Sequence, residues 1–223
     1  MVSAPAVVLG SASPARLRVL RDAGLDPRVI VADIDEDALL STMAAFPPDD
    51  IVIRLAQAKA DAVVADVLAD VLAEGDAADV VVLTCDSMLL CNGQLTGKPH
   101  TADVARAQWR TMRGRSAELI TGHCVTRIRD GLVAGSAHAA ASTTIGFADV
   151  DDATIDAYVD TGEPLTVAGA FTLDGLGGWL VDYVDGDPSS VLGIGLPTVR
   201  RLLGEVGVSV TVLWQASSPR KHS

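Results

Sequence analysis

The sequence contains little that would suit a membrane, a disulfide framework or a secreted protein. No apolar run approaches the roughly 18 to 20 residues that a membrane-spanning helix needs. The three cysteines, Cys85, Cys91 and Cys124, show no Cys-x-x-Cys spacing, so we expect reduced, buried thiols and neither a disulfide framework nor a zinc site. Residues 1–9 have no basic flank and only a short apolar run. This segment does not resemble a secretory signal, which favours the cytoplasm.

Positive charge is also scarce. The 17 Lys and Arg residues are outnumbered by 29 Asp and Glu residues, which gives a formal net charge of −12. A nucleic-acid duplex is therefore not an expected partner, because duplex binding needs a broad basic surface. A small polyanion could still bind where a few local cations, a helix N-terminus or a metal ion offset the charge of the protein.

The composition suits a folded α/β protein. Apolar residues make up 49% of the 223 residues, which is enough for one large domain or two small lobes with a substantial core. We expect a single domain over residues 1–215 and a disordered tail over 216–223. Strand-like and helix-like segments mix without strict βαβ alternation, so we predict an α/β fold with an elongated mixed β-sheet flanked by helices.

The spacing of apolar residues predicts the individual elements. Short apolar or alternating runs predict strands at 7–9, 28–32, 80–83, 117–129, 132–147, 179–184 and 209–213. Periods of three or four predict helices at 14–23, 50–73, 102–112, 152–159 and 197–203. Asn92-Gly93 and Asp130-Gly131 are typical of hairpin turns. An acidic loop is expected over 33–37.

The segment between the first strand and the first helix is a candidate phosphate-binding loop. Residues 9–14 read LGSASP, so small residues precede a helix start, where free amides and the helix dipole favour an anion. Ser13 suits the N-cap and Pro14 the first helical position. A Ser-Pro pair is also common as a cap without any ligand, and Arg16 could equally be a solvated surface residue. The loop pattern alone leaves both interpretations open.

Carboxylates and lysines supply the other candidates. Asp86 is predicted just past the end of a buried strand, where α/β proteins place functional groups, although an aspartate there can also cap a turn. Asp35 and Glu36 lie in the acidic loop, and carboxylates suit Mg²⁺, which takes one or two of them together with substrate phosphates. Such a loop is often only solvated. Lys59 and Lys98 could complement the charge of a phosphate.

Eight segments occur in the order seen in one protein family. They read LGSASP (9–14), RLAQAKA (54–60), CDS (85–87), LTGKP (95–99), EPL (163–165), AGAF (168–171), DGLG (174–177) and GLP (195–197). As a set, they resemble Maf family proteins over nearly the whole chain. The resemblance implies a nucleotide pyrophosphatase fold with an elongated α/β structure, two lobes with a substrate cleft between them, and a homodimer.

The resemblance also implies an activity. Proteins of this family are expected to hydrolyse a nucleoside triphosphate between its α- and β-phosphates, which yields a nucleoside monophosphate and pyrophosphate. Water attacks with the assistance of a divalent metal cation, Mg²⁺ or Mn²⁺. The implied role is removal of non-canonical or excess nucleotides. The alternative is a nucleotide-binding regulator of cell division and septum formation without significant catalysis.

Individual roles follow from the same resemblance. The family's catalytic aspartate matches Asp86, which is expected to hold the metal together with Glu36 and Asp35. The predicted phosphate-binding or substrate-binding residues are Ser11, Ser13, Arg16, Lys59 and Lys98.

Several positions depart from the family pattern and leave the base preference open. The family often has two basic residues after Ser-Pro, whereas here Ala15 precedes Arg16. Ser87 stands where relatives specific for dTTP and UTP have Thr, and Asp174 stands where they have Gln. Asp174 and the Gly-Asp-Pro of residues 186–188 resemble the branch that prefers 7-methyl-GTP, but Cys-Asp-Ser does not. Arg16, Ser87 and Asp174 are therefore the candidate specificity residues.

The glycines at 175, 177 and 178 suggest a different class, a dinucleotide-binding domain. They lie late in the chain and lack the strand-turn-helix setting with a following acidic residue that such a site requires. We therefore do not expect a dinucleotide site.

Overall fold

A computed structural model describes residues 4–74 and 79–217. Its strands are β1 (Ala6–Leu9), β2 (Arg28–Val29), β3 (Asp79–Cys91), β4 (Gln94–Thr96), β5 (Ser116–Arg129), β6 (Leu132–Phe147) and β7 (Val181–Asp185). They form one sheet in the order β2-β1-β3-β5-β6-β7, with β4 paired to β3. Strand β1 is parallel to β2 and β3, whereas β4 is antiparallel to β3 and β7 is antiparallel to β6. The prediction of a mixed α/β fold is confirmed.

Helices flank the sheet. They are α1 (Pro14–Asp22), α2 (Glu36–Ser41), α3 (Pro48–Glu74), α4 (Ala102–Met112), α5 (Asp152–Asp160), α6 (Pro188–Leu192), α7 (Leu196–Glu205) and α8 (Val210–Ser217). Three 3₁₀ helices lie at Glu163–Thr166, Ala168–Ala170 and Leu176–Leu180. Among the residues that the structure describes, no helix has both the length and the apolar character needed to cross a membrane.

The chain divides into two compact units. The first unit comprises Met1–Asp86, Gly122–Ala140 and Leu196–Ser223, and the second comprises Ser87–Thr121 and Ala141–Gly195. The boundary of the predicted single domain, residues 1–215, stays a prediction. Of the predicted tail, residues 216 and 217 complete α8, and residues 218–223 lie outside the described part of the chain.

In the first unit, the long helix α3 packs on the parallel strands β1 and β3. Val63 of α3, Val8 of β1 and Val82 of β3 belong to one buried cluster. Full burial of such a side chain contributes about 1.5 to 3 kcal/mol. The register pairs Leu9 with Leu83, so the loop that follows β1 begins beside the middle of β3.

In the second unit, the core is built around Trp109 of α4. This residue is fully buried, and its ring makes edge-to-face contacts with Phe147 and Tyr158, each with 5.5 Å between ring centroids. The indole N–H donates a hydrogen bond to the carbonyl oxygen of Ala170 at 2.7 Å. Because the polar atom of the indole is paired, the whole ring can be buried without an unsatisfied donor.

The prediction of an acidic loop over 33–37 is wrong at its end, because helix α2 begins at Glu36. Asp35 is the N-cap of α2, and its carboxylate accepts a hydrogen bond from the backbone N–H of Ala38 at 2.9 Å. Glu36 and Asp37 occupy the first turn, where negative charge interacts favourably with the helix dipole. The acidic residues that indicated a solvated loop are therefore a helix start.

The prediction that Asp86 follows the end of a strand is also wrong. Strand β3 continues from Asp79 to Cys91, so Asp86 lies inside it. A carboxylate normally ends a buried strand because an unpaired charge is costly there. In β3 the strand continues because Asp86 forms an ion pair with Lys59.

The predicted closing strand at 209–213 is a helix, α8. Its valines favour a strand, but α8 packs against α7 and its Leu213 is buried. Tertiary packing therefore overrides a weak preference for strand. Two other boundaries differ: β2 ends at Val29 instead of residue 32, and Trp179 belongs to a 3₁₀ helix, with β7 beginning at Val181.

Gly122 of β5 provides a stability test of the first unit. A Cβ atom there would lie 2.2 Å from the carbonyl carbon of Val52 in α3, so the helix backbone would have to move. We expect Gly122→Ala to lower the free energy of unfolding by about 1 to 3 kcal/mol, as measured by urea denaturation.

Gly204→Ala is the matched control. Gly204 lies in α7, and a Cβ atom there would meet nothing within 4 Å. Alanine is the better helix former, so this variant should gain up to about 1 kcal/mol. Equal stability of the parent and Gly122→Ala would contradict the close approach of β5 and α3.

Candidate active site

Three charged side chains from three elements of the first unit meet at Lys59. The Lys59 ammonium, on α3, donates a hydrogen bond to the carboxylate of Asp86 in β3. The same Nζ lies 3.0 Å from Oε1 of Glu36 at the start of α2. The Lys59 and Asp86 side chains are only 9% and 11% exposed, whereas Glu36 is 40% exposed. The arrangement is a buried cation between two carboxylates with net charge −1.

The helical period explains why Lys59 points inward. Leu55 and Val63 lie one turn before and one turn after it, and both are buried. A lysine on this face cannot reach bulk water without leaving the core, so it requires a carboxylate partner. The apolar spacing around Lys59 was the signal in the sequence that could have predicted a buried lysine in need of a carboxylate partner.

Arg16 ties the candidate phosphate loop to β3. Its guanidinium donates hydrogen bonds to the carbonyl oxygen of Cys85 at 2.8 Å and to Oγ of Ser11 at 3.1 Å. The backbone N–H of Ser13 donates to the same Ser11 hydroxyl at 3.2 Å. Arg16 is therefore not the solvated surface residue that the sequence left open. It fixes the loop against the residue that precedes Asp86.

The start of α1 has the predicted form. The Ser13 hydroxyl accepts a hydrogen bond from the backbone N–H of Arg16 at 3.4 Å, and Pro14 is the first helical residue. A Cβ atom at Gly10 would lie 2.5 Å from the Thr84 side chain, so glycine allows the loop to approach β3. Ser11 is only 8% exposed.

The remaining predicted site residues belong to the second unit. Ser87, next to Asp86 in the chain, shares a hydrogen bond of 2.9 Å between its hydroxyl and that of Thr121. Lys98 is exposed and follows β4, and Asp174 is exposed in the segment before the third 3₁₀ helix. The structure thus gathers Glu36, Lys59 and Asp86 within the first unit.

The cysteines are free and buried, as predicted. Cys85 directly precedes Asp86, and burial raises the pKa of its thiol. A neutral thiol is a weak nucleophile, so Cys85 fits a packing role beside the site.

Glu163 is a partly buried polar centre of the second unit that was not among the predicted site residues. Burial would raise the pKa of Glu163, but hydrogen bonds from Thr172, Gly177, Leu176 and Tyr158 outweigh it and hold the pKa below its usual value. The EPL motif contained this residue, yet its partners lie 5 to 14 positions away in the chain. No local pattern indicates them.

The described residues contain no group of three His, Cys, Asp or Glu side chains arranged to hold a metal ion. Glu36 and Asp86 do converge on one cation, Lys59. Two carboxylates are the number that Mg²⁺ takes from a protein when substrate phosphates complete its shell. These residues therefore fit a metal that binds with its substrate, whereas Asp35 is engaged in capping α2.

The family follows from comparison of sequences. A family model described as Maf-like protein matches residues 6–206, and these include every predicted site residue. The chain belongs to the Maf family. The resemblance of the eight segments is thereby confirmed over the residues that carry the Lys59 cluster and Glu163.

Three relatives of this Maf chain carry the same name. A protein of Nocardia farcinica named nucleoside triphosphate pyrophosphatase is 59% identical over 213 residues, which covers 94% of this chain and 96% of the relative. A protein with the same name from Rhodococcus jostii is 58% identical, and the match covers 94% of this chain and 96% of the relative. Another with this name, from Mycobacterium sp. (strain JLS), is 56% identical, and the match covers 93% of this chain and 97% of the relative.

A double-mutant cycle tests the ion pair of Lys59 and Asp86. Lys59→Met leaves a buried carboxylate without its cation, so we expect the free energy of unfolding to fall by about 3 kcal/mol. Asp86→Asn alone should cost less, because the amide keeps the size of the side chain. In the double variant the two costs should not add, with a coupling of about 1 to 3 kcal/mol in urea denaturation.

Lys98→Met is the control for this cycle, because Lys98 is exposed. Its stability should stay within about 0.5 kcal/mol of the parent. Additive costs of Lys59→Met and Asp86→Asn would show that the two side chains do not interact.

Proposed function

We propose that this protein hydrolyses nucleoside triphosphates to nucleoside monophosphates and pyrophosphate. The proposal rests on the name of relatives to which the chain is similar over nearly their full length. The observation that carries it in the structure is the Glu36–Lys59–Asp86 cluster, which contains three of the predicted site residues around a buried lysine. A purely structural lysine would not need two carboxylates from two further elements.

Asp86 is our candidate for the residue that orients the attacking water. Its carboxylate lies at the centre of a buried strand and is fixed by Lys59. Because the carboxylate already accepts a hydrogen bond from Lys59, orientation of the water ranks before abstraction of its proton. Phosphoryl transfer is accelerated mainly by positioning and by neutralisation of charge, which suits a fixed carboxylate of this kind.

Glu36 and Asp86 are the residues that would hold a divalent cation, Mg²⁺ or Mn²⁺. When bound, such a cation polarises phosphate oxygens and offsets the charge of the triphosphate. Lys59 keeps the two carboxylates close together in spite of their mutual repulsion. Asp35 supports this set through the cap that starts α2 at Glu36.

The loop before α1 is our candidate phosphate site. Ser11, Ser13 and the backbone amides at the helix start offer hydrogen-bond donors to an anion. Arg16 holds this loop through Ser11 and the Cys85 carbonyl, so its contribution combines positive charge with positioning. Lys98, exposed in the second unit, is proposed as a further phosphate contact.

Base selection is proposed for Asp174, with Ser87 and Arg16 as further candidates. An ionised carboxylate only accepts hydrogen bonds, so Asp174 should favour a guanine-like edge, which presents N1–H and N2–H₂ donors. Glutamine offers both a donor and an acceptor and would suit a uracil or thymine edge.

The alternative function is a nucleotide-binding regulator of septum formation without catalysis. The presence of Asp86, Glu36 and Lys59 in one cluster favours the enzyme, since binding alone does not require two carboxylates at one buried lysine. The cytoplasmic location and the homodimer rest on the sequence and on the resemblance to the family, and both stay predictions.

The first product distinguishes this activity from other phosphohydrolases. With Mg²⁺ or Mn²⁺, we expect pyrophosphate, and not orthophosphate, from a panel of UTP, dTTP, 5-methyl-UTP, 7-methyl-GTP and ITP. Chelation of the metal should remove the activity, and readdition should restore it. Ion chromatography of the products, without a coupled pyrophosphatase, makes the measurement. Orthophosphate as the first product would refute the proposal.

Asp86→Asn tests the role of the central carboxylate. We expect turnover to fall by at least about a hundredfold, the lower range for loss of a general base or water-orienting group. Folding should persist because the two side chains have nearly the same shape. Asp66→Asn, an exposed position on α3, is the control and should keep the parent rate. Substantial activity in Asp86→Asn would remove Asp86 from the mechanism.

A further inference from the structure

The carboxylate of Glu163 is surrounded by four donors of the second unit, three of which lie in one short segment. Its Oε2 accepts a hydrogen bond from the backbone N–H of Leu176 at 3.0 Å, and its Oε1 accepts one from the backbone N–H of Gly177 at 2.9 Å. Oε1 also accepts from the hydroxyls of Tyr158 at 3.0 Å and of Thr172. Four donors, two of them backbone amides, therefore converge on one side chain.

The segment 172–177, which we call the Glu163 turn, is wrapped closely around this carboxylate. A Cβ atom at Gly175 would lie 2.7 Å from both oxygens of Glu163. A Cβ atom at Gly177 would lie 2.5 Å from the Tyr158 hydroxyl and 2.6 Å from the Thr172 carbonyl oxygen. The two glycines are needed for this approach, because any larger residue would push the turn away from Glu163.

Asp174 lies within the Glu163 turn, between its two points of attachment. The Thr172 hydroxyl fixes the turn two residues before Asp174, and the Leu176 and Gly177 amides fix it two and three residues after. Asp174 itself is exposed. The backbone on both sides of this exposed carboxylate is thus held by the partly buried carboxylate of Glu163.

We propose that Glu163 is a positioning residue for base selection, which acts by fixing the turn that carries Asp174. The inference rests on the proposed nucleotide pyrophosphatase activity and on the role of Asp174 in it. Glu163 acts through the backbone amides of Leu176 and Gly177, and no contact between Glu163 and the nucleotide is required.

Glu163→Gln is the most direct test, since it keeps the size of the side chain. One of the two oxygens becomes an NH₂ group, which cannot accept a hydrogen bond, so at least one of the four donors loses its acceptor. Glu118→Gln is the matched control: Glu118 is exposed in the same unit, and its carboxylate accepts one hydrogen bond from the Ser142 hydroxyl.

The first measurement is hydrogen exchange of the backbone amides in residues 172–180. In Glu163→Gln we expect exchange at Leu176 and Gly177 to be at least about tenfold faster than in the parent. Local opening of the turn is easier there, because fewer hydrogen bonds to the side chain of residue 163 have to break. Glu118→Gln should leave the exchange unchanged. Unchanged exchange in Glu163→Gln would show that Glu163 does not hold the turn.

The second measurement is the ratio of kcat/KM for 7-methyl-GTP and UTP. We expect Glu163→Gln to bring this ratio about tenfold closer to one, mainly through KM, as expected for the loss of one well-placed hydrogen bond to the base. In an Asp174→Ala background, the same substitution should leave the ratio unchanged. A uniform loss of rate for both substrates, or an equal change of the ratio in both backgrounds, would overturn the proposal.

Two further outcomes remain decisive. If Glu163→Gln does not fold, Thr172→Val removes one donor and should shift the exchange and the ratio in the same direction by a smaller amount. If the parent hydrolyses no triphosphate of the panel, the proposed function fails and the role in base selection fails with it. The exchange measurement then still decides whether Glu163 holds the turn.

Discussion

Burial of the Lys59 ammonium is the constraint on which the candidate site depends. The residue lies on the apolar face of α3, so its charge must be neutralised inside the fold. Asp86 supplies a carboxylate from the middle of β3, and Glu36 supplies another from the first turn of α2. The cation thus compensates for a charged residue inside a strand and contacts the first turn of a short helix. The same interaction that permits the fold assembles the proposed catalytic groups.

Much of the architecture could be predicted because it follows from local sequence patterns. Helix α4 was predicted at its observed bounds, and the hairpin of β5 and β6 at Asp130-Gly131, since apolar periodicity and turn residues act over a few positions. The Ser13 cap and the buried thiols were predictable for the same reason. The family resemblance named the residues of the Lys59 cluster, although no sequence pattern showed that they meet.

What could not be predicted depends on contacts between distant positions. Asp86 was predicted to follow the end of a strand, because its partner Lys59 is 27 residues away and the local sequence does not show the pairing. The valines of α8 indicated a strand, because packing against α7 is invisible in the sequence. Glu163 was quoted only as part of a motif, since its four donors come from three separate places in the chain. The two carboxylates, Asp86 and Glu163, thus depend on hydrogen-bond partners that are distant in the sequence.

The Glu163 turn also bears on how such a protein can change its preference over evolutionary time. Two of its attachments are main-chain amides, which every residue except proline provides. The attachments therefore place no demand on which side chain stands at position 174. Selection can exchange that side chain without rebuilding the turn that displays it. If Asp174 selects the base as proposed, a lineage could acquire a new nucleotide preference by one substitution, while the support inherited from its ancestor stays intact.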